Sequence, residues 1–220
     1  MSTKPLLLSI AFLALFVMWR WHSVAQKPFV PIINGVVLHQ GKTLSHLSLQ
    51  DHNNQTFENE HLVGQWHILS YGYTHCPDVC PTTLFTMTQL QQKLITTDQS
   101  GDVQFLFYTV DPERDRVDIL AQYIRYFSQD FIALRAINAS AKQAFEKQLG
   151  IKAIVTPPSQ ENERYQVSHG LAVYIMNPEG ELQAVIQPKT TELGTETLTE
   201  DVLYEHFVKV KQYYQSINSS

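Results

Sequence analysis

Residues 103–110 read VQFLFYTV, a near-continuous apolar run. A half-exposed strand alternates polar and apolar side chains, whereas an unbroken run belongs to a strand covered on both faces, as in the parallel part of an α/β sheet. A β-rich run, WHILSYGY at 66–73, precedes it and suits a central strand, and FIALRAI at 131–137 follows. Segments of helical period lie between them. Pro81 suits the first position of a helix, after which Leu84, Met87, Leu90, Gln91 and Leu94 recur every three or four residues. Val117, Leu120, Ile124 and Phe127 share one face of a second helix, and residues 141–150 form a third that ends at Gly150. The NPEG turn makes 170–187 a hairpin, and a shorter hairpin is expected over 46–57 with its turn at residues 51–54. A last helix is expected over 200–217, started by Thr199 with Glu200 and Asp201 in its first turn. This order predicts an α/β domain with a mixed central sheet flanked by helices.

The 220 residues allow one such domain plus an appendage, and 44% hydrophobic residues suffice for a real core. A formal net charge of −5 leaves no basic excess for a phosphate backbone, so nucleic acid is excluded as a partner. The appendage is amino-terminal. Lys4 and Arg20 bracket fifteen uncharged, mostly apolar residues, Pro5 to Trp19. As a helix they cover about 22 Å against a hydrocarbon core of about 30 Å. Snorkelling by Lys4 and Arg20, with Trp19 and Trp21 at the interface, makes a short single span reasonable. The expectation is a transmembrane anchor over 1–25, with a cleaved signal peptide as the rival because Ser23-Val24-Ala25 precedes Gln26. Either exports the domain, and the segment is too short and too poor in Arg for a mitochondrial presequence. The expected location is therefore a bacterial inner membrane, single-pass, with the domain facing the periplasm. Residues 26–41, with Pro28, Pro31 and Gly35 and no clear period, read as a tether, and 42–217 as the domain.

Two cysteines cannot scaffold a 25.2 kDa chain, so their role is local. They stand with three residues between them in YGYTHCPDVCPTTL, residues 71–84, each before a proline. Pre-proline restriction makes Cys80 the expected last non-helical residue and puts Cys76 in the loop above the strand end. That placement, between an early strand and the following helix, is the one expected of a thioredoxin-like domain. Unpaired N–H groups and the helix dipole there favour thiolate, raising nucleophilicity and metal affinity together. The spacing allows a disulfide or two sulfurs on one ion. A merely stabilising disulfide is the weakest reading, because so short a loop constrains the unfolded chain little. Two sulfurs leave most metals short of ligands. Of nine histidines, His75 adjoins Cys76 but is expected to point away, and seven others sit in the tether, in polar loops or on periodic elements. His169 opens the apolar run GLAVYIM, where a ring at a strand mouth either serves packing or meets the cysteine loop.

GYTHCPDVCPTTL, then TVDPERD at 109–115, FSQDFIALRA and VSHGLAVYIMNPEGEL resemble the Sco/SenC family of membrane-anchored, thioredoxin-like proteins, over residues 40 to 210. In that family two cysteines and one downstream histidine bind copper, and the proteins help assemble the dinuclear copper centre of cytochrome c oxidase subunit II. The resemblance implies Cys76, Cys80 and His169 as the ligands here. Ser168 stands where many members have Asp, which removes one carboxylate; Asp78 and Asp111 match the family pattern and read as turn and loop or helix-capping residues, or as groups that tune the metal or the thiols.

Soft thiolates select Cu(I), which accepts two of them with a neutral imidazole, while zinc wants a fourth ligand. The first functional expectation is thus a copper metallochaperone, holding Cu(I) and in a further state Cu(II), loaded by an upstream copper donor protein and serving subunit II. Disulfide formation would abolish binding and couple copper loading to redox state. The alternative is a thiol–disulfide oxidoreductase or thiol peroxidase in which Cys76 attacks and Cys80 resolves. Thr74 near Cys76 is faintly peroxiredoxin-like, but the spacing differs and no activating Arg is evident. A redox or oxygen sensor is a third reading, with no feature of its own.

Overall fold

A computed structural model describes residues 29–99, 101–158, 165–190 and 196–218. The expected anchor over 1–25 and the first residues of the tether lie outside these. Among the described residues no helix is long and apolar enough to cross a membrane.

The runs read as central strands are central. β4 (Trp66–Gly72) pairs in parallel with β5 (Val103–Thr109), and β5 in parallel with β6 (Ile132–Ala136). Each parallel pair is joined by a crossover helix, α1 (Val79–Thr96) after β4 and α2 (Val117–Phe127) after β5. α3 (Ala139–Leu149) follows β6 and ends at Gly150, whose φ of 71° is the left-handed conformation that glycine adopts without penalty. β9 (Val173–Met176) and β10 (Leu182–Ile186) form the expected hairpin, and β9 runs antiparallel to β4. The short hairpin β2 (Leu49–Asp51) and β3 (Thr56–Phe57) joins the other side through β6. The last helix, α4, spans Glu200–Asn218, with the Thr199 hydroxyl accepting from the Val202 N–H.

One expectation is corrected at the amino-terminal edge. Residues read as tether as far as Gly41 include a strand, β1 (Gly35–Lys42), which pairs antiparallel with β10. Its residues are exposed or half-buried throughout, as an edge strand's are, so no alternation marks it in the sequence. The sheet thus has eight strands in the order β1-β10-β9-β4-β5-β6-β2-β3. Two short ribbons lie outside it: β7 (Ala153–Thr156) with β8 (Gln166–His169), and β11 (Lys189–Thr190) with β12 (Glu196–Thr197).

The sheet has a core on each face. Trp66 and Ile68 of β4 pack with Leu84, Met87 and Leu90 of α1, Leu120 and Ile124 of α2, and Leu203, Phe207 and Val210 of α4. Leu69 and Tyr71, one residue out of phase, pack with Leu44, Leu47, Phe145 and Leu149 on the other face. This two-sided burial is what the unbroken apolar runs require.

Candidate metal centre

The cysteine loop leaves the centre of the sheet where β4 ends, so its roots are fixed by burial on both faces. Asp78 caps α1, and Val79, Cys80 and Pro81 are its first three helical residues. The expectation that Cys80 precedes the helix, with Pro81 first in it, is therefore corrected by two residues. The first four N–H groups of a helix have no partner within it, so the missing N–H of Pro81 costs nothing at the third position. Cys80 is buried and Cys76 half-buried; both are thiols.

His169 is brought in from the carboxyl end of β8. Its Nδ1 lies 2.7 Å from the Gly170 carbonyl oxygen, which only accepts, so the proton sits on Nδ1 and the Nε2 lone pair faces inward. That Nε2 is 3.2 Å from Cys80 Sγ. The Cys80 backbone N–H donates to Cys76 Sγ at 3.4 Å. The two sulfurs and the ring nitrogen lie within 4.8 Å of one another. The His169 ring rests between Tyr71 and Tyr73, with centroids at 5.5 and 5.8 Å.

The two thiols are unequal. The hydrogen bond from Cys80, then the backbone N–H groups of Asp78 and Cys80, hold Cys76 far below the usual thiol range against the opposing effect of burial. Cys80, the donor of that bond and the more deeply buried, is pushed up. Cys76 is thus the more acidic and more accessible of the two, and the cluster offers two sulfurs able to lose their protons to a metal and one imidazole lone pair.

Two supports gave no sequence signal. Gly72 is the last residue of β4, and a Cβ there would stand 2.6 Å from Cys80 Sγ, so only glycine leaves room for the sulfur. Asp115 is wholly buried and accepts from the Thr74 N–H at 2.9 Å, the Thr74 hydroxyl at 2.6 Å and the Thr109 hydroxyl at 2.6 Å. It thereby fixes the chain two residues before Cys76. Asp111, one of the two acids singled out in the sequence, neither caps a helix through its side chain nor faces the sulfurs; its carboxylate takes Arg114 and the Tyr165 hydroxyl. Asp78 caps α1 by backbone conformation, without a side-chain hydrogen bond to it. His75 turns away as expected, toward Thr74 and Asp115.

A mixed sheet with a dithiol at the amino end of the helix after its central strand defines a thioredoxin-like domain, here with a histidine added to the dithiol. The SCO1/SenC family model matches residues 38–203, and the chain belongs to that family. The human "Protein SCO1 homolog, mitochondrial" is 32% identical over 146 residues, 65% of this chain and 48% of that protein. The chain thus spans about half the length of that mitochondrial relative. The crystal structure of Arabidopsis thaliana ScoI with copper bound superposes with a TM-score of 0.67 at 26% identity, covering 77% of this chain and 98% of that one. BsSco, described as a member of the Sco family of cytochrome c oxidase assembly proteins, is alike in fold at a TM-score of 0.60 and 23% identity, covering 83% and 96%.

Proposed function

We propose that this protein is a copper carrier for cytochrome c oxidase assembly, with Cys76, Cys80 and His169 as the copper ligands. The observation that carries the reading is the convergence of two sulfurs and a proton-free ring nitrogen, one of them from a separate ribbon. A stabilising disulfide or a simple thiol enzyme needs no such histidine. The donor set is soft and has three members, which suits Cu(I) and falls one short of a closed zinc site. Partial exposure of Cys76 and His169 leaves bound copper open to an incoming thiolate, as handing it on requires. The recipient in this reading is the dinuclear copper site of subunit II, the source an upstream copper donor protein. The apolar residues 5–19 anchor the domain on the periplasmic face of a bacterial inner membrane.

The contrast between a half-exposed, more acidic Cys76 and a buried Cys80 favours a second role at the same site. Cys76 attacks a disulfide of subunit II, giving a mixed disulfide and one free thiolate on the target. Cys80, losing its proton, attacks Cys76 Sγ and releases the second target thiolate, leaving Cys76 and Cys80 bridged.

Replacing His169 by Ala separates the two roles. Cu(I) affinity of the reduced protein should fall by more than the tenfold to hundredfold typical of losing a group behind a ligand, while the cysteines still form and break their disulfide. Oxidase assembly in cells carrying His169→Ala should fail at low copper. Unchanged Cu(I) affinity in that variant would falsify the three-ligand site.

A further inference from the structure

His169 belongs to a strand that the main sheet does not hold. Among the described residues β8 pairs with β7 alone in a two-stranded ribbon, and no ladder of backbone hydrogen bonds there fixes His169 relative to the cysteines. Side chains must do so, and one guanidinium lies where the pieces meet. Arg114 follows β5 and is largely buried, and its Nε–H donates to the Asp111 carboxylate. One Nη–H donates to the Tyr165 carbonyl oxygen at 3.0 Å, at the residue before β8. The guanidinium carbon stands 3.7 Å from the centre of the Tyr165 ring and 5.4 Å from that of Tyr73. The Tyr165 hydroxyl closes the circuit by donating to Asp111 Oδ1 at 2.8 Å. Tyr73, on the far side, begins the cysteine loop and meets the His169 ring edge-on.

We infer that Arg114 is the positioning residue of the copper site, clamping the His169-bearing strand to the cysteine loop through Asp111, Tyr165 and Tyr73. This rests on the three-ligand reading above. Tyr165 lies four residues before His169, and an extended strand transmits a shift at one end to the other at about 3.3 Å per residue without slack. Arginine suits the post because its planar fork donates to two acceptors while its faces stack on rings; a lysine ammonium keeps the charge and loses the fork and the stacking. Arg114 touches neither sulfur nor imidazole. Its loss therefore costs the site its nitrogen, not its dithiol.

The test is a double-mutant cycle on the full-length, reduced protein, with Cu(I) competed by a colorimetric chelator and X-ray absorption on the copper-loaded protein. Arg114→Gln should weaken Cu(I) tenfold to hundredfold and diminish the imidazole scattering while both sulfurs stay. Arg114→Lys should recover part of the affinity. In a His169→Ala background, Arg114→Gln should change affinity by less than about twofold, because the group it positions is gone. The midpoint potential of the cysteine pair should match the unsubstituted protein's. Full imidazole scattering in Arg114→Gln, or an equal loss of affinity with and without His169, overturns the inference. An unchanged affinity in His169→Ala alone overturns the three-ligand reading beneath it, so the two failures are distinguishable. Tyr165→Leu cuts the clamp from the other side; an unaltered copper site in that variant overturns the inference even where Arg114→Gln does not fold.

Discussion

The loop carrying Cys76 and Cys80 grows from a strand hydrogen-bonded on both sides, β4 between β5 and β9, with all seven residues buried. Among the described residues the strand carrying His169 has one partner, and that partner's Ile154 and Val155 are exposed at 67% and 58%. The sulfurs are thus built into the core and the histidine is brought to them by a ribbon. Damage to the first half should unfold the protein; damage to the second should spare the fold and cost the site one ligand.

The largest effect is expected where a buried charge holds the cysteine loop. Asp115→Ala leaves the Thr74 N–H and the Thr74 and Thr109 hydroxyls without their acceptor. Hydrogen bonds to a charged group contribute about 1.5–3 kcal/mol each, so the loss should reach roughly 4 kcal/mol in urea unfolding. A loss below about 1 kcal/mol would show that the loop does not depend on the carboxylate.

Acid should act next, and again through the core half. His67, buried in β4, is held down from 6.5 to about 4 chiefly by desolvation. A base with a depressed folded value binds its proton more readily unfolded. Its stabilising effect is therefore complete above about pH 6.5 and is lost as pH falls toward 4, by roughly 3 kcal/mol. His67→Met should flatten the unfolding free energy between those pH values; an unchanged slope refutes the assignment.

Gly72→Ala pushes a methyl against Cys80 Sγ and the Phe107 ring. Overpacking of this kind costs about 2 kcal/mol, and the displaced sulfur should also lower Cu(I) affinity. Unfolding and Cu(I) competition on one sample read both effects. The smallest change is expected on the ribbon: Ile154→Thr should shift stability by less than about 0.5 kcal/mol, since its side chain is mostly in solvent. A cost above 1 kcal/mol would place the ribbon within the cooperative core.

Most of the sheet and the four α-helices of the described residues were legible because their periodicities record which face is covered. β1 was not, because an edge strand alternates weakly, and neither was the β7–β8 ribbon, whose consecutive exposed Ile154 and Val155 fit neither period. α1 starts two residues earlier than pre-proline restriction implies, because a first helical turn leaves its N–H groups free and so tolerates Pro81 at its third position.

Local order decided that a dithiol stands at the end of a central strand, because Cys76, Cys80 and the elements around them are neighbours in the chain. It also carried the motifs by which the family is recognised. Only the tertiary structure decided that His169, eighty-nine residues beyond Cys80, turns Nε2 toward its sulfur, that Gly72 leaves room there, and that Asp115, not Asp111, underlies the loop. The adjacent sequence marks His169 and Asp111 as candidates but not what they touch, since each acts on a group distant in sequence, and such contacts exist only once the strands have paired and the faces have closed.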